Sequence, residues 1–362
     1  MIFKTSKDIV YAKYEPTVFV VSSPFQLICA RNAINVFCIK DYKFVFVLFP
    51  NVVRNEQLFA MAEEMHILYE LVYTDAISQI DFFNSKGFFS QKKGNYRRAF
   101  LGSYFRSDFP MIASLYMTDG YMAFLDDGTS TLSLFIDGYF SSDNPKPSSL
   151  LPKIKWYKNV WYKEKKLFFK ISNKVAESRN HITNCFFTIY DDVKTRKFQT
   201  YPNKLSKISD VYTFTQSNIV FIIGPFIKRE SQWNGIEEAA FLKLLSYKLM
   251  NVSKSYPEHE IIYIPHGSDT SAEIQAICES NGIQYKRINA AIEYWFIQNL
   301  YKPYAIYGFG STALLNLKRM FPDVPITDWF IDKPHKNPYY SFYKMIADYY
   351  GNNEIVIEKI IN

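Results

Sequence analysis

Short apolar runs alternate with longer stretches whose apolar residues recur every three to four positions, and the alternation continues through both halves of the chain. Period-2 or continuous apolar runs read as strands and 3.6-period stretches as helices, so the pattern predicts an α/β fold with parallel sheets. PTVFVVSS (16–23) reads as a buried strand. Ser23 then caps a helix that opens on Pro24 and continues FQLICARNAI. YKFVFVLFP (42–50) is a second strand, followed by the helix-patterned NEQLFAMAEEMHIL (55–68), and YMAFL (121–125) is a third strand that stops at Asp126-Asp127-Gly128.

Between about 145 and 215 the pattern weakens, with Pro145, Pro147, Pro152 and a basic aromatic tract at 153–170. The second half restarts at NIVFIIG (218–224). There follow the helical 236–250, the strand EIIYIP (260–265), the helical 271–282, the strand YAIYGFG (304–310), the helical STALLNLKRM (311–320), VPITDW (324–329) and a helical MIADYY (345–350). The expected organisation is an N-terminal domain over 1–212, its residues 145–212 a looser transition segment. A C-terminal domain covers 213–335, and a helical tail over 336–362 crosses back to the first. No solenoid period is visible.

Length agrees: 362 residues make about two domains of roughly 150 residues. A hydrophobic fraction of 48% with 21% charged residues excludes wholesale disorder. Lys and Arg exceed Asp and Glu by 42 − 35 = 7, which suits an anionic partner. Aromatic residues reach 18%, for which coding bias is the simplest account at this level. The four cysteines (Cys29, Cys38, Cys185, Cys278) form no C-x-x-C pair and no histidine stands at metal spacing to them, implying a reducing compartment and no metal site. The first residues lack the apolar core of a secretory signal, and no apolar run approaches the ~20 residues of a spanning helix. A cytoplasmic protein is expected.

The chemically suggestive residues fall at strand ends. Asp126 and Asp127 follow an apolar strand with Gly128 permitting a turn, so one of them is either a general base over the sheet edge or part of an ordinary acidic turn. His266, after Pro265, ends the strand EIIYIP, where an imidazole either protonates a leaving phosphate or merely bonds a neighbouring carbonyl. Gly308-Phe309-Gly310-Ser311-Thr312-Ala313 is strand, glycine turn and helix start, which aims amides and hydroxyls at one point. It also fits G-x-G-x-x-A with Asp328 20 residues on. Only 54 residues remain after Gly308, so a single nucleotide phosphate fits better than a dinucleotide. Glu293, on a short helix, carries no signal by itself. There is no G-x-x-x-x-G-K-[ST], G-x-S-x-G or H-E-x-x-H. The tract 153–170 holds seven lysines against one glutamate, interleaved with Trp156, Tyr157, Trp161 and Tyr162. Its readings are a membrane interface or anionic saccharide, single-stranded nucleic acid, and a solvated loop. No nucleic-acid-binding motif accompanies it, and no nucleic-acid partner is expected.

Together these pieces resemble bacterial sialyltransferases of glycosyltransferase family 52, related to families 38 and 80. The resemblance rests on Asp126-Asp127-Gly128, Pro265-His266-Gly267 and Ser311-Thr312 in that order, and on VFVVSSPFQLICA (18–30), and it spans roughly residues 16–330. His266 is followed by glycine where those families carry proline. The resemblance implies a GT-B type fold, two Rossmann-like domains facing a central cleft, the first binding acceptor and the second a CMP-sugar donor. It implies inverting transfer from CMP-sialic acid to a glycan hydroxyl of lipooligosaccharide or capsule, without metal or cofactor, at the cytoplasmic face of the inner membrane with 153–170 as a peripheral contact. It makes Asp126 the base, with Asp127 orienting the turn or contacting acceptor, and puts His266, Pro265, Ser311, Thr312, Gly310, Gly224 and Glu293 around the donor. Two alternatives stand beside it: a transferase for a related nonulosonic acid or another nucleotide sugar, and a non-catalytic polyanion-binding protein of capsule assembly.

Overall fold

A computed structural model describes residues 15–49, 52–73, 94–104, 106, 108–136, 181–193, 198–205, 212–269, 271–333 and 339–360. The tract 153–170 lies outside the described residues. The chain divides into two units, Met1–Asn203 and Lys204–Asn362.

The first unit holds strands β1 (Thr17–Val21), β2 (Tyr42–Leu48), β3 (Tyr69–Tyr73), β4 (Tyr96–Leu101), β5 (Met117–Leu125), β6 (His181–Thr188) and β7 (Gln199–Pro202). They form one sheet in the order β3-β2-β1-β4-β5-β6-β7, every pairing parallel. Helices α1 (Pro24–Val36), α2 (Val52–Glu64), α3 (Asp108–Tyr116) and α4 (Thr129–Phe135) follow β1, β2, β4 and β5. Order 3-2-1-4-5-6 is that of a Rossmann sheet, whose direction of winding reverses between β1 and β4. A parallel sheet covered on both faces needs continuous apolar strands. The fully buried TVFVV of β1 is one. The looser segment expected at 145–212 contributes β6 and β7 to this sheet, where Phe186 and Phe187 are buried.

Aromatic side chains in register build much of this core. Phe19 pairs with Phe44 on β2 and with Phe100 on β4, and its ring stacks on theirs at 5.1 and 5.4 Å. Phe37 extends the row by stacking on Phe100 at 5.7 Å. A second group joins Phe124, Phe135, Phe186 and Phe198. Ring pairs of this kind add about 0.5–1.5 kcal/mol each beyond area burial, which supplies a structural reason for part of the aromatic content.

The second unit has β8 (Thr215–Gln216), β9 (Ile219–Ile223), β10 (Glu260–Ile264), β11 (Gln284–Tyr285), β12 (Tyr301–Lys302), β13 (Ala305–Gly308), β14 (Ile326–Ile331) and β15 (Val356–Ile360). Six of them form a parallel sheet, β11-β10-β9-β13-β14-β15, while β8 pairs with β12 apart. Counted within the sheet, the order is again 3-2-1-4-5-6, reversing between β9 and β13. Its helices are α5 (Ile227–Trp233), α6 (Glu238–Ser255), α7 (Ala272–Ser280), α8 (Ile292–Asn299), α9 (Thr312–Met320) and α10 (Tyr340–Asn352). Residues 340–360 do not form a wholly helical tail: α10 is followed by β15, which joins this second sheet beside β14. The fold class is α/β, two Rossmann-like domains in one chain. Among the described residues no helix is long and apolar enough to cross a membrane.

Candidate functional site

Most of the residues singled out by their chemistry stand just past the carboxyl ends of sheet strands, the edge where ligands of Rossmann sheets collect. Gly224 and Gly310 follow the two strands that flank the reversal of the second sheet, while Asp126 and Asp127 follow β5 and His266 follows β10, each one strand further out.

In the first unit, β5 ends at Leu125 and the chain turns through Asp126, Asp127 and Gly128 into α4. Gly128 has φ +65°, a region an L side chain adopts with strain. The two aspartates are placed differently, because successive residues of an extended chain point to opposite sides. Asp126 is fully buried. Its Oδ1 accepts from Thr188 Oγ1 at 2.6 Å and its Oδ2 from the Ile189 amide at 2.7 Å, tying the end of β5 to that of β6. Asp127 is part-exposed. Its amide donates to Thr131 Oγ1 at 2.9 Å, and its Oδ1 accepts from Gln26 Nε2 at 2.8 Å. The expectation that favours Asp126 as base therefore meets a physical objection: both of its oxygens are occupied and neither faces solvent. Asp127 is the carboxylate at the edge.

Nearby, the Arg54 guanidinium on α2 is held below its ordinary basicity by burial, an effect partly offset by the charge of Asp127 and reinforced by Arg106. Arg106 pairs with Asp108 and lies 4.2 Å from the ring centre of Phe49.

In the second unit three strand ends stand in register. Ile264 of β10 pairs with Ile223 of β9, and Ile223 with Gly308 of β13, so Pro265, Gly224 and Phe309 follow side by side. At a strand spacing of about 4.8 Å the three ends span roughly 10 Å. Gly224 donates its amide to the Ile264 carbonyl at 2.8 Å, and a Cβ on it would fall 2.3 Å from the buried Tyr263 hydroxyl. The His266 ring stacks on Phe226 from the Gly224 loop, with centroids 5.6 Å apart. Its Nδ1 accepts from the Ser268 amide at 3.1 Å. An amide only donates, so in neutral imidazole the proton sits on Nε2. Asp269 anchors this loop: its amide donates to the His266 carbonyl, and its carboxylate accepts from the amides of Ile227 and Ser271.

Past β13, Gly310 has φ +49° and donates its amide to Asp328 Oδ1 at 2.6 Å. Ser311 caps α9, its Oγ accepting from the Ala313 amide at 3.3 Å, and Tyr350 donates to the Ser311 carbonyl at 2.9 Å. Burial raises the Asp328 carboxyl to about 7, with the Gly310 amide opposing and the charge of Glu230 adding to the rise. Behind the turn lies a cavity of about 20 Å³, bounded by Gly310, Asp328, Glu230, Asn234 and Tyr343. That volume suits one water, not a substrate. Glu293 is 4% exposed on α8, its Oε1 accepting from Asn316 Nδ2 of α9 at 2.5 Å, and burial raises its pKa. The structure thus ties Glu293 to the body of the helix that Ser311 and Thr312 open.

Gln26, Thr188 and Asp269 escape a reading by chemistry alone. For Gln26 a signal existed: Ser23-Pro24-Phe25-Gln26 has the S-x-x-Q spacing of a capping box. Half of the box forms, with Ser23 Oγ accepting from the Gln26 amide at 3.2 Å. The Gln26 carboxamide takes Ser22 in place of Ser23 as its donor.

No family model matches the chain, and no curated protein sequence does. Among solved structures it is similar to the α/β-galactoside α-2,3-sialyltransferase of the luminous marine bacterium Photobacterium phosphoreum (12% identity, 95% of this chain and 98% of that one, TM-score 0.48). It is similar also to a family 9 glycosyl transferase of Veillonella parvula (9% identity, 96% and 86% covered, TM-score 0.43) and to MurG of Acinetobacter baumannii (6% identity, 95% and 86% covered, TM-score 0.41).

Proposed function

We propose that the protein is a nucleotide-sugar-dependent glycosyltransferase, and specifically that it moves sialic acid from CMP-sialic acid to a glycan hydroxyl with inversion. The observation that carries the reading is the gathering of Gly224, His266 and the Gly310-Ser311-Thr312 turn on three in-register strand ends at the winding reversal of the second sheet.

The second unit binds the donor. Ser311, Thr312 and the start of α9 offer hydroxyls and helix-end amides to the CMP phosphate. His266, its proton on Nε2, donates to the phosphate oxygen as the bond from that oxygen to sialyl C2 breaks, and offsets the charge building there. Gly224 shapes the loop beside the donor, and Glu293, buried against Asn316, acts on the donor only by holding α9 in place. The first unit activates the acceptor: Asp127 takes the proton of the acceptor hydroxyl while its oxygen bonds to C2, leaving CMP, the glycoside and a protonated Asp127 that returns its proton to water. Asp127 takes this role in place of Asp126 because Asp126 is closed off by Thr188 and Ile189. Helix-end donors and an imidazole supply the charge stabilisation that a metal would otherwise give, so a metal-independent reaction is part of the proposal.

Calorimetry with CMP, and turnover of CMP-sialic acid by purified protein, test it. CMP is expected to bind, Asp127→Asn to abolish transfer with CMP binding retained, and His266→Ala to lower kcat about 10²-fold. A protein that neither binds CMP nor consumes CMP-sialic acid overturns the reading. Binding of a UDP- or GDP-sugar instead would move the donor while keeping the transferase.

A further inference from the structure

We propose that Gln26 is a positioning residue for Asp127, a buried amide clamp that presents one carboxylate oxygen of Asp127 to the acceptor. The inference rests on Asp127 being the proton acceptor, and it adds a residue that acts through it.

Gln26 lies in the first turn of α1 and is 1% exposed. Both ends of its carboxamide are used. Oε1 accepts from the Ser22 amide at 2.8 Å and from Ser22 Oγ at 3.2 Å, and Nε2 donates to Asp127 Oδ1 at 2.8 Å, 101 residues away in the chain. A backbone amide can only donate, so the atom facing Ser22 has to be the oxygen, which leaves the NH₂ group facing Asp127. The orientation of the clamp is therefore dictated by the chain and has no equivalent flipped form.

The space for it is built in. A Cβ at Gly102, just past β4, would fall 2.3 Å from Gln26 Oε1. Gly102 cannot retreat without losing its own bond, its amide donating to the Val20 carbonyl of β1 at 2.8 Å. The ends of β1, β4 and β5 thus meet around one amide. Thr131 fixes the Asp127 backbone from α4. With Oδ1 engaged by Gln26, the proton transfers to Oδ2. A neutral amide suits this place: it holds the carboxylate without competing for the proton, as a carboxylate there would, and without forming an ion pair with it, as a lysine there would.

The test uses purified full-length chain, CMP-sialic acid and lactose as acceptor. Gln26→Met, which keeps the bulk and loses both amide contacts, is expected to lower kcat by roughly 10- to 100-fold, the scale of a displaced reacting group, with the KM for CMP-sialic acid within about twofold of wild type. Gln26→Glu, which keeps an acceptor for Ser22 but sets a carboxylate against Asp127, is expected to lose at least as much. Gly102→Ala, which expels the amide, should match Gln26→Met, and the double variant should be no slower than either single one. An unchanged kcat in Gln26→Met, fully multiplying losses in the double variant, or a loss that only follows the melting temperature overturns the positioning role.

A readout without turnover separates this inference from the reading beneath it. In ¹⁵N-labelled protein the Gln26 side-chain amide signal, identified by its disappearance in Gln26→Met, is expected to shift in Asp127→Ala. If it stays put, the clamp does not exist. If it shifts while Asp127→Asn still transfers sialic acid, the clamp is real and Asp127 is not the base, which overturns the positioning role together with the assignment it serves.

Discussion

Thr188 Oγ1 donates to Asp126 Oδ1 at 2.6 Å across 62 residues of chain, and with the Ile189 amide it closes off the first of two adjacent aspartates. Asp126→Ala would leave two buried donors without their acceptor, at a cost of about 3 kcal/mol. In a unit of this size that lowers the melting temperature by on the order of 10 °C. Asp127→Asn, at the part-exposed neighbour, retains an oxygen for Gln26 and is expected to stay within about 0.5 kcal/mol of wild type. Thermal unfolding of both variants checks the contrast, and equal melting temperatures would reverse the division of labour between the two residues.

That contrast shows where sequence reading stops. The apolar runs at 17–21, 42–48, 219–223 and 260–264 are visible as strands, because a doubly covered parallel sheet leaves little room for polar side chains. Other strands were hidden, among them β4, which carries Arg97 and Arg98 at its start, and β6, which opens with His181, Thr183 and Asn184. Strand order is set by pairings that no local pattern records. Which of two identical aspartates turns inward depends on Thr188, a residue with no signal of its own. The aromatic fraction was likewise opaque until the register Phe44–Phe19–Phe100 set the rings face to face. Ser311 and Gly310, by contrast, were legible because strand, glycine and cap are local features.

Asp328 makes stability depend on pH in a definite direction. Its carboxyl titrates near 7 in the folded chain because it is buried, against about 3.9 when unfolded. Between those values the folded state keeps a proton that the unfolded state has released, so stability falls as pH rises from about 4 to about 7, by on the order of 1 kcal/mol per pH unit. Buried Glu293, also shifted upward, acts in the same sense. Asp328→Asn, whose side-chain oxygen still accepts from the Gly310 amide, is expected to flatten the decline. Urea unfolding from pH 5 to 8 measures it, and an unchanged slope would remove Asp328 as its source.

Tyr263 offers a test of the opposite sign. Its hydroxyl is buried, has no hydrogen-bond partner among the described residues and lies close against Gly224. Removing a buried polar atom that bonds nothing relieves a desolvation penalty of about 1–3 kcal/mol, offset in part by the small gap it leaves. Tyr263→Phe is therefore expected to be neutral or to raise the melting temperature. Gly224→Ala, whose Cβ would meet that ring, is expected to lower it and to weaken CMP binding by displacing the loop that carries Phe226. A destabilised Tyr263→Phe would mean that the hydroxyl has a partner after all.

Gly310 separates conformational strain from steric exclusion. Its φ of +49° lies in the left-handed region, and among the described residues a Cβ there would meet only Tyr343 carbons at 3.5 Å, an ordinary contact. Gly310→Ala has room, so its penalty is the backbone's alone, about 1 kcal/mol. Asparagine tolerates that region better, so Gly310→Asn should recover part of the loss. The melting temperature is expected to fall by roughly 2–4 °C for alanine and less for asparagine, and CMP affinity should follow the same order because the turn aims Ser311 and the start of α9. If alanine and asparagine lower stability equally, the penalty comes from contact with Tyr343, and the turn is held by packing instead of by the freedom of glycine.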